Sequence, residues 1–171
     1  MINMSALSVL YLVLPFPLAF LIHDGEEVVV LRRWMLSHRS ILEDRFPRLF
    51  QYLSSLTPPS FAIAAAEEFI IILLATCYVL IQGCYCLEIW SALFMAFSFH
   101  QLIHIMQAIV LRSYVPGLVT SLLLLPYSYL GLQSIGHAMS GVELLLCGTL
   151  GILFMALNLK FAHWIGRRAG S

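Results

Sequence analysis

Five long apolar stretches follow one another along the chain, and prolines, glycines or charged residues separate them. Each is long enough to cross a hydrocarbon core of about 30 Å as a helix that rises about 1.5 Å per residue. The predicted spans are residues 5–31, 60–81, 87–111, 117–132 and 141–164. Pro58-Pro59 suits a helix start at the second span, whereas Pro15 and Pro17 should kink or restart the first one. The pattern predicts an all-α, single-domain polytopic membrane helix bundle with about five transmembrane helices.

The segment between the first two spans, residues 40–55, has a different pattern. Its apolar side chains form one stripe, Arg45 and Arg48 lie off that stripe, and Pro47 interrupts it. The stripe consists of Ile41, Leu42, Phe46, Leu49, Phe50 and Leu53. This is typical of a short amphipathic helix that lies in the membrane interface. Two roles stay open for it, a connector that rests on lipid and a gate for a substrate.

Composition supports a membrane protein. The 171 residues are 61% hydrophobic and 11% charged, whereas soluble domains carry about 25% charged residues. The mean hydropathy is +0.92. We therefore expect the chain to contact membrane lipid and no nucleic acid, and a homo-oligomer stays open.

The basic residues predict an orientation. All nine lysines and arginines fall between spans one and two, between spans three and four, or at the C-terminal end. With five spans these regions share one side of the membrane, which the positive-inside rule assigns to the cytoplasm. The N-terminus is then outside and the C-terminus is cytoplasmic.

Ionisable side chains interrupt three of the apolar spans, where charges are costly and usually functional. They are His23, Glu26 and Glu27 in the first span, Glu67 and Glu68 in the second, and His100 and His104 in the third. Counted from the nearest arginine or proline boundary, each group begins eight or nine residues inside its span, roughly 12–14 Å along the helix. The three groups should therefore meet in one layer of the cytoplasmic half.

Helical spacing places these side chains on shared faces. His23 and Glu27 are one turn apart with Glu26 beside them, and His100 and His104 are also one turn apart. Gln107 extends the second face. The other ionisable residues are expected elsewhere: Asp24 should point away from the site as an outer or interfacial partner, and His38, His137 and His163 should be interfacial.

Histidines and carboxylates on facing helices are what di-iron carboxylate bundles use to hold two metal ions. Four buried carboxylates would repel one another, and two divalent cations would neutralise them. The seven residues listed above for the three spans are thus predicted ligands of two divalent ions, iron or zinc. Of these, Glu27, Glu68 and His104 are expected to carry the chemistry.

Two stretches resemble a known family. His23-Asp24-Gly25-Glu26-Glu27 fits the motif H-x-x-E-E, which names the HXXEE family of small membrane proteins. The stretch "SFHQLIHIMQAIVLRSYVPGLVTSLLLLP" is also similar to that family, which has a histidine, then a basic residue, then an aromatic-x-Pro-Gly-Leu turn. The resemblance covers roughly residues 23–130 and carries over His23, Glu26, Glu27, His104 and Arg112 as family features. It implies an architecture and a candidate site, and no substrate.

The residues that follow the third span are candidates for substrate binding. Arg112 could hold a lipid phosphate or a carboxylate through a bidentate pair, and positive-inside anchoring is the equal alternative. Tyr114 lies beside it before the Pro116-Gly117 turn, and Gln107 lies on the histidine face.

The leading functional hypothesis is a membrane-embedded metalloenzyme that oxidises or hydrolyses a lipid or another apolar substrate, with oxidation favoured. A metal-free acid–base isomerase of the emopamil-binding type is the second hypothesis, with Tyr78, Phe94, Phe97 and Phe99 as pocket aromatics. A small proton or cation transporter is the third, although no inverted repeat is evident.

Overall fold

The protein is a bundle of helices in a computed structural model that describes residues 9–169. After a π-helical turn at Val9–Val13, seven α-helices follow in the order of the chain. They are α1 Phe16–Ser37, α2 Arg39–Arg45, α3 Pro47–Ser54, α4 Pro58–Leu80, α5 Cys86–Leu111, α6 Leu118–Ala138 and α7 Gly141–Ala169. Every element in this range is helical, which confirms the predicted all-α fold. Residues 5–8 of the predicted first span lie outside the described residues.

The first long helix starts later and ends later than the predicted span. It begins at Phe16, directly after Pro15, with Pro17 in its first turn, so the prolines restart the helix as expected. It continues past residue 31 to Ser37, because Trp34 and Met35 pack into a small apolar cluster. The polar HDGEE stretch is therefore the middle of one continuous helix.

Four helices within residues 9–169 are long and apolar enough to cross a membrane, namely α4, α5, α6 and α7. Helix α1 does not meet this measure of composition, because Asp24, Glu26 and Glu27 interrupt its apolar sequence. Its 22 residues nevertheless rise roughly 33 Å, and it packs against α4 and α6. It is the fifth long helix of the bundle.

The linker between α1 and α4 is two short helices with a break at Phe46. Pro47 opens α3, as the pattern predicted, since proline fits the first turn of a helix. Leu42 of α2 is buried, and Phe46, Leu49 and Leu53 turn towards the interior of the bundle, where they line a cavity.

The aromatic core of the bundle lies where α1, α5 and α6 meet. The ring of Phe16 is 5.2 Å from that of Phe94 and 5.7 Å from that of Trp90. A Cβ on Gly131 of α6 would lie 2.3 Å from the ring of Phe94, so only glycine permits this approach. This rigid core lies next to the ionisable layer, because Phe97 also contacts the ring of His23.

The basic residues gather at one end of the bundle, which we call the basic end. It consists of the last turns of α1, α5 and α7, the first turns of α4 and α6, and the linker helices. The indole N–H of Trp34 donates to the carbonyl of Tyr114 at 2.6 Å, which ties α1 to the turn before α6. Gly166 of α7 approaches the backbone of Ser60 in α4 so closely that an added Cβ would lie 2.0 Å from its oxygen.

Candidate metal centre

Four side chains from two helices converge at the centre of the ionisable layer. On α1, Nε2 of His23 lies 3.4 Å from Oε1 of Glu27, one turn further along. On α5, Nε2 of His100 and Nε2 of His104 lie 3.2 and 2.8 Å from the same oxygen. The two α5 nitrogens are 3.0 Å apart. Helical spacing provides each pair, and the side chains of α1 and α5 reach across the interior of the bundle to bring the pairs together.

The donor atoms have the spacing of a metal site. One donor from each of the four residues lies within 4.8 Å of all the others. Tetrahedral coordination with bonds of about 2.0–2.2 Å places ligand atoms roughly 3.4 Å apart, close to the separations observed here. Three imidazole nitrogens and one carboxylate form a donor set that zinc and iron both accept. The residues present therefore fit a single divalent ion.

The centre is buried against a large cavity. His23 is fully buried and His104 nearly so, whereas His100 and Glu27 are partly open on the cavity side. The cavity has a volume of about 580 Å³ and is lined mainly by apolar side chains. This size lies within the range of ligand pockets, about 300–1,000 Å³. A bound ion would thus be reachable from an apolar chamber.

A hydrogen-bonded chain fixes the orientation of His23. Nδ1 of His23 lies 3.0 Å from Oγ1 of Thr120, and that hydroxyl donates at 2.6 Å to Oε2 of Glu26. The single hydroxyl proton of Thr120 is used in the second bond, so Nδ1 of His23 must donate in the first. Nε2 of His23 then carries a lone pair that points to the centre, which is the arrangement of a metal-binding histidine with an outer partner.

Glu26 is held by groups at the start of α6. Its carboxylate also accepts from the backbone N–H of Thr120 at 2.8 Å and from the hydroxyl of Tyr114 at 2.5 Å. Burial and the contact with Glu26 raise the pKa of Tyr114, so its hydroxyl remains a donor. The two glutamates of the motif thus have different contacts. Glu27 lies among the four donors, whereas Glu26 holds Thr120, the residue that orients His23.

The turn before α6 closes the site. Gly117 has a φ of 81°, in the left-handed region that favours glycine. A Cβ at this position would lie 3.0 Å from the ring of His104 and 3.1 Å from Oε1 of Glu27. Glycine is therefore required both by the backbone and by the close approach of the turn to the centre.

The comparison with protein families agrees with this geometry. The family described as "protein of unknown function with HXXEE motif" matches residues 14–130, more than half of the chain. The chain belongs to the HXXEE family. Searches of curated proteins and of solved structures find no match.

The matched range of the HXXEE chain covers α1, α5 and the first half of α6, which supply all four donors and the Thr120 support. Helix α7 lies outside it. The range matched by the HXXEE family therefore contains the candidate centre, together with the linker helices and α4.

The other predicted ligands of the HXXEE chain do not join the four-donor group. Glu26 is bound to Tyr114 and Thr120, as described. Glu67 accepts from Nδ2 of Asn158 at 3.1 Å, and Glu68 lines the cavity. The seven predicted residues thus divide into a four-donor centre and three carboxylates around it.

The predicted substrate-binding residues also divide. Gln107 lines the cavity, whereas the hydroxyl of Tyr114 is used by Glu26. Arg112 is exposed, ends α5 in a left-handed conformation, and is not part of the cavity lining. Of the four aromatics considered for a pocket, Phe97 and Phe99 line the cavity and Phe94 is buried in the core.

Two expectations from the sequence are corrected. Asp24 was expected to point away from the site, but it is buried and lines the cavity beside Glu27. The cavity runs along the side of α1 that carries Phe20, Asp24 and Glu27. It therefore extends beyond the helix face on which the sequence placed His23 and Glu27. His163 was expected at the interface, but it is also buried and lines the same cavity.

Two residues with contacts at the site, Thr120 and Asn158, could not be predicted from the sequence. Thr120 is one hydroxyl in the first turn of an apolar span, where such residues commonly begin helices. Asn158 stands alone in α7. Neither has a neighbour at helical spacing that would have indicated a site.

Proposed function

We propose that this HXXEE protein is a membrane-embedded metalloenzyme that acts on a lipid or another apolar substrate. One observation supports the proposal above the others: three histidine Nε2 atoms surround Oε1 of Glu27 at 2.8–3.4 Å, at the wall of an apolar cavity. Lone pairs that converge in this way repel one another unless a cation or shared protons lie among them. Within the described residues, Glu27 forms its ion pairs with histidines and with no arginine or lysine.

The proposed ligands are His23, Glu27, His100 and His104, and the metal is iron or zinc. When bound there, iron would support oxidation of the substrate, whereas zinc would activate a water for hydrolysis. Glu27 contributes the negative charge that partly neutralises the ion. The apolar cavity holds the substrate and limits the access of water.

The number of ions is part of the proposal. The four-donor group suits one ion. A second ion would need the nearby carboxylates of Asp24 and Glu68, which lie on the same cavity and interact electrostatically with each other. We propose one tightly held ion, with a second, weaker position only if these two carboxylates also bind metal.

Elemental analysis of the full chain, purified without added metal, tests the proposal. We expect about one iron or zinc per chain, a large loss in His104→Ala, and no change in His137→Ala. His137 is an exposed histidine at the end of α6, so its replacement removes an imidazole without touching the centre. Wild-type protein that folds normally with clearly less than one metal ion per chain would refute the metalloenzyme.

A metal-free proton-transfer enzyme is the second candidate, since Glu27 and the three histidines could share protons instead of an ion. This alternative predicts tight binding of amphiphiles that carry a cationic amine, with no metal in the purified protein. A transporter predicts instead a flux of protons or divalent cations in liposomes that His104→Ala abolishes.

A further inference from the structure

A second group of polar side chains also lines the cavity, and the proposed four-donor centre does not include it. Asn158 and His163 of α7 and Glu68 of α4 all line the cavity. His163 is only 5% exposed and packs between the rings of Tyr52 and Phe61. A polar group buried this deeply normally has a hydrogen-bond partner for each of its nitrogens.

His163 has a free donor. Its Nδ1 is hydrogen-bonded to the hydroxyl of Tyr52, which also interacts with the guanidinium of Arg167. Burial raises the pKa of Tyr52, so this hydroxyl keeps its proton. Arginine can only donate, so the proton of Tyr52 is directed to Nδ1 of His163. Nε2 of His163 then carries the N–H, and it has no partner anywhere in residues 9–169.

Acceptors complete the group. The amide nitrogen of Asn158 donates to Glu67 and the amide also interacts with Glu68, so its carbonyl oxygen remains as an acceptor. Glu68 adds a carboxylate. A hydroxyl group matches this set, since its oxygen can accept from His163 while its proton goes to Asn158 or Glu68.

The charges around the cavity select against an anion. Asp24, Glu27 and Glu68 all line it, and no arginine or lysine does so among the described residues. A phosphate or carboxylate headgroup bound here would lie beside Glu68 with no arginine or lysine to compensate it, since the proposed ion is held by Glu27 and the histidines. An uncharged headgroup avoids this repulsion.

The cavity also has an opening suited to a lipid. Helix α7 touches α5 at Gly151, where a Cβ would lie 2.1 Å from the oxygen of Ala92, and it touches α4 at Gly166. Between these contacts α7 crosses from one helix to the other. Along this stretch Phe99 and Met106 of α5 line the cavity and are 41% and 57% exposed. The cavity is therefore open beside these two α5 residues, which form an apolar side entrance.

We propose that Asn158, His163 and Glu68 form a headgroup subsite that binds the free hydroxyls of an uncharged, long-chain lipid, such as a monoacylglycerol. Its acyl chain lies along the apolar cavity and enters past Phe99 and Met106 of α5. This inference deepens the proposed function by naming the substrate class, and it rests on that function only for the chemistry that follows binding.

Photolabelling of the purified full chain in detergent tests the subsite. The probe is 1-monooleoylglycerol with a diazirine in its chain, compared with the matching lysophosphatidic acid and oleic acid. We expect saturable labelling by the monoacylglycerol alone. His163→Phe and Asn158→Leu should each weaken it about tenfold, the usual effect of losing one buried hydrogen bond.

Two further variants control for folding. His163→Gln keeps an N–H donor near the position of Nε2 and should retain most of the labelling, whereas a purely structural histidine would not be replaced in this way. Leu157→Ala, next to Asn158 but 68% exposed, should label like the wild type. Equal labelling by the anionic probes, or wild-type labelling of both His163→Phe and Asn158→Leu, would overturn the subsite.

Metal content of the same samples separates the two proposals. His163→Phe and Asn158→Leu should keep the wild-type amount of metal. If the wild type holds no metal and labelling still depends on His163, the metalloenzyme fails and the subsite stands. If metal is present and labelling is indifferent to His163 and Asn158, the subsite alone fails.

Discussion

Nε2 of His104 lies 2.8 Å from Oε1 of Glu27, the shortest contact between a histidine and a carboxylate in the described part of the chain. The two residues come from α5 and α1. Helix α1 packs against α4 and α6, and its side chains reach α5 through the aromatic core, where Phe16 contacts Phe94 and Phe97. A contact this short, beside two more imidazole nitrogens, is suited to holding a cation. Its removal is therefore the most direct way to test what the site binds.

Glu27→Gln should lower the bound metal more than tenfold, because it keeps the size of the side chain and removes the only carboxylate of the centre. Loss of an outer partner alone costs about 10–100-fold in metal affinity, so loss of a ligand should cost at least as much. Elemental analysis and metal titration measure the effect.

Glu43→Gln is the matched control for this variant. Glu43 is an exposed carboxylate that pairs with Arg39 at 2.9 Å on the surface of α2. Metal content that falls equally in both variants, or in neither, would contradict the assignment of Glu27.

Thr120→Val should weaken metal binding about 10–100-fold with little change in folding. Valine has nearly the shape of threonine but cannot accept from Nδ1 of His23 or donate to Glu26, so the orientation of His23 is lost. Thr120→Ser should retain wild-type affinity because it keeps the hydroxyl, and Thr149→Val on the exposed side of α7 should have no effect. If the serine variant binds metal as weakly as the valine variant, then the packing of Thr120, and not its hydroxyl, determines the metal affinity.

Gly117→Ala should destabilise the protein by about 1–3 kcal/mol, since alanine is strained at a φ of 81°. It should also lower metal binding, because the new Cβ would press on His104 and Glu27. Gly25→Ala lies within the HDGEE motif, but its Cβ would meet nothing within 4 Å. We expect it to be stabilising by roughly 0.5–1 kcal/mol, the ordinary gain from alanine in a helix. Thermal unfolding and metal content of the two variants are the measurements. Equal destabilisation of both would refute the claim that the turn at Gly117 requires glycine.

The basic end should face the cytoplasm. Cys84 is an exposed native cysteine in the turn between α4 and α5, at the opposite end of the bundle. A membrane-impermeant maleimide should label it on intact cells. In a chain whose four native cysteines are replaced by serine, a cysteine introduced by Arg48→Cys in α3 should react only after permeabilisation. Labelling of position 48 on intact cells would reverse the predicted orientation.

Much of the fold follows from the sequence. Apolar runs of sufficient length predicted α4, α5 and α7 to within a few residues, because a helix that satisfies its own backbone is the favoured way to bury such runs in lipid. The ends of α1 and α6 were harder to place. Helix α1 continues to Ser37 because Trp34 packs at the basic end, and α6 continues to Ala138 through Pro126. Both extensions depend on neighbours that the local pattern does not contain.

The sequence by itself determined which residues share a helical face, and so it paired His23 with Glu27 and His100 with His104. The depth count also predicted that the groups on the three spans meet in one layer. Only the tertiary structure decided that the two pairs converge on one oxygen of Glu27, that Glu26 turns to Thr120, and that Glu67 turns to Asn158. It also placed Asp24 and His163 on the wall of the cavity. The physical reason is that periodicity fixes direction about a single helix axis, whereas the rotation and spacing of neighbouring helices are set by packing between side chains far apart in the chain.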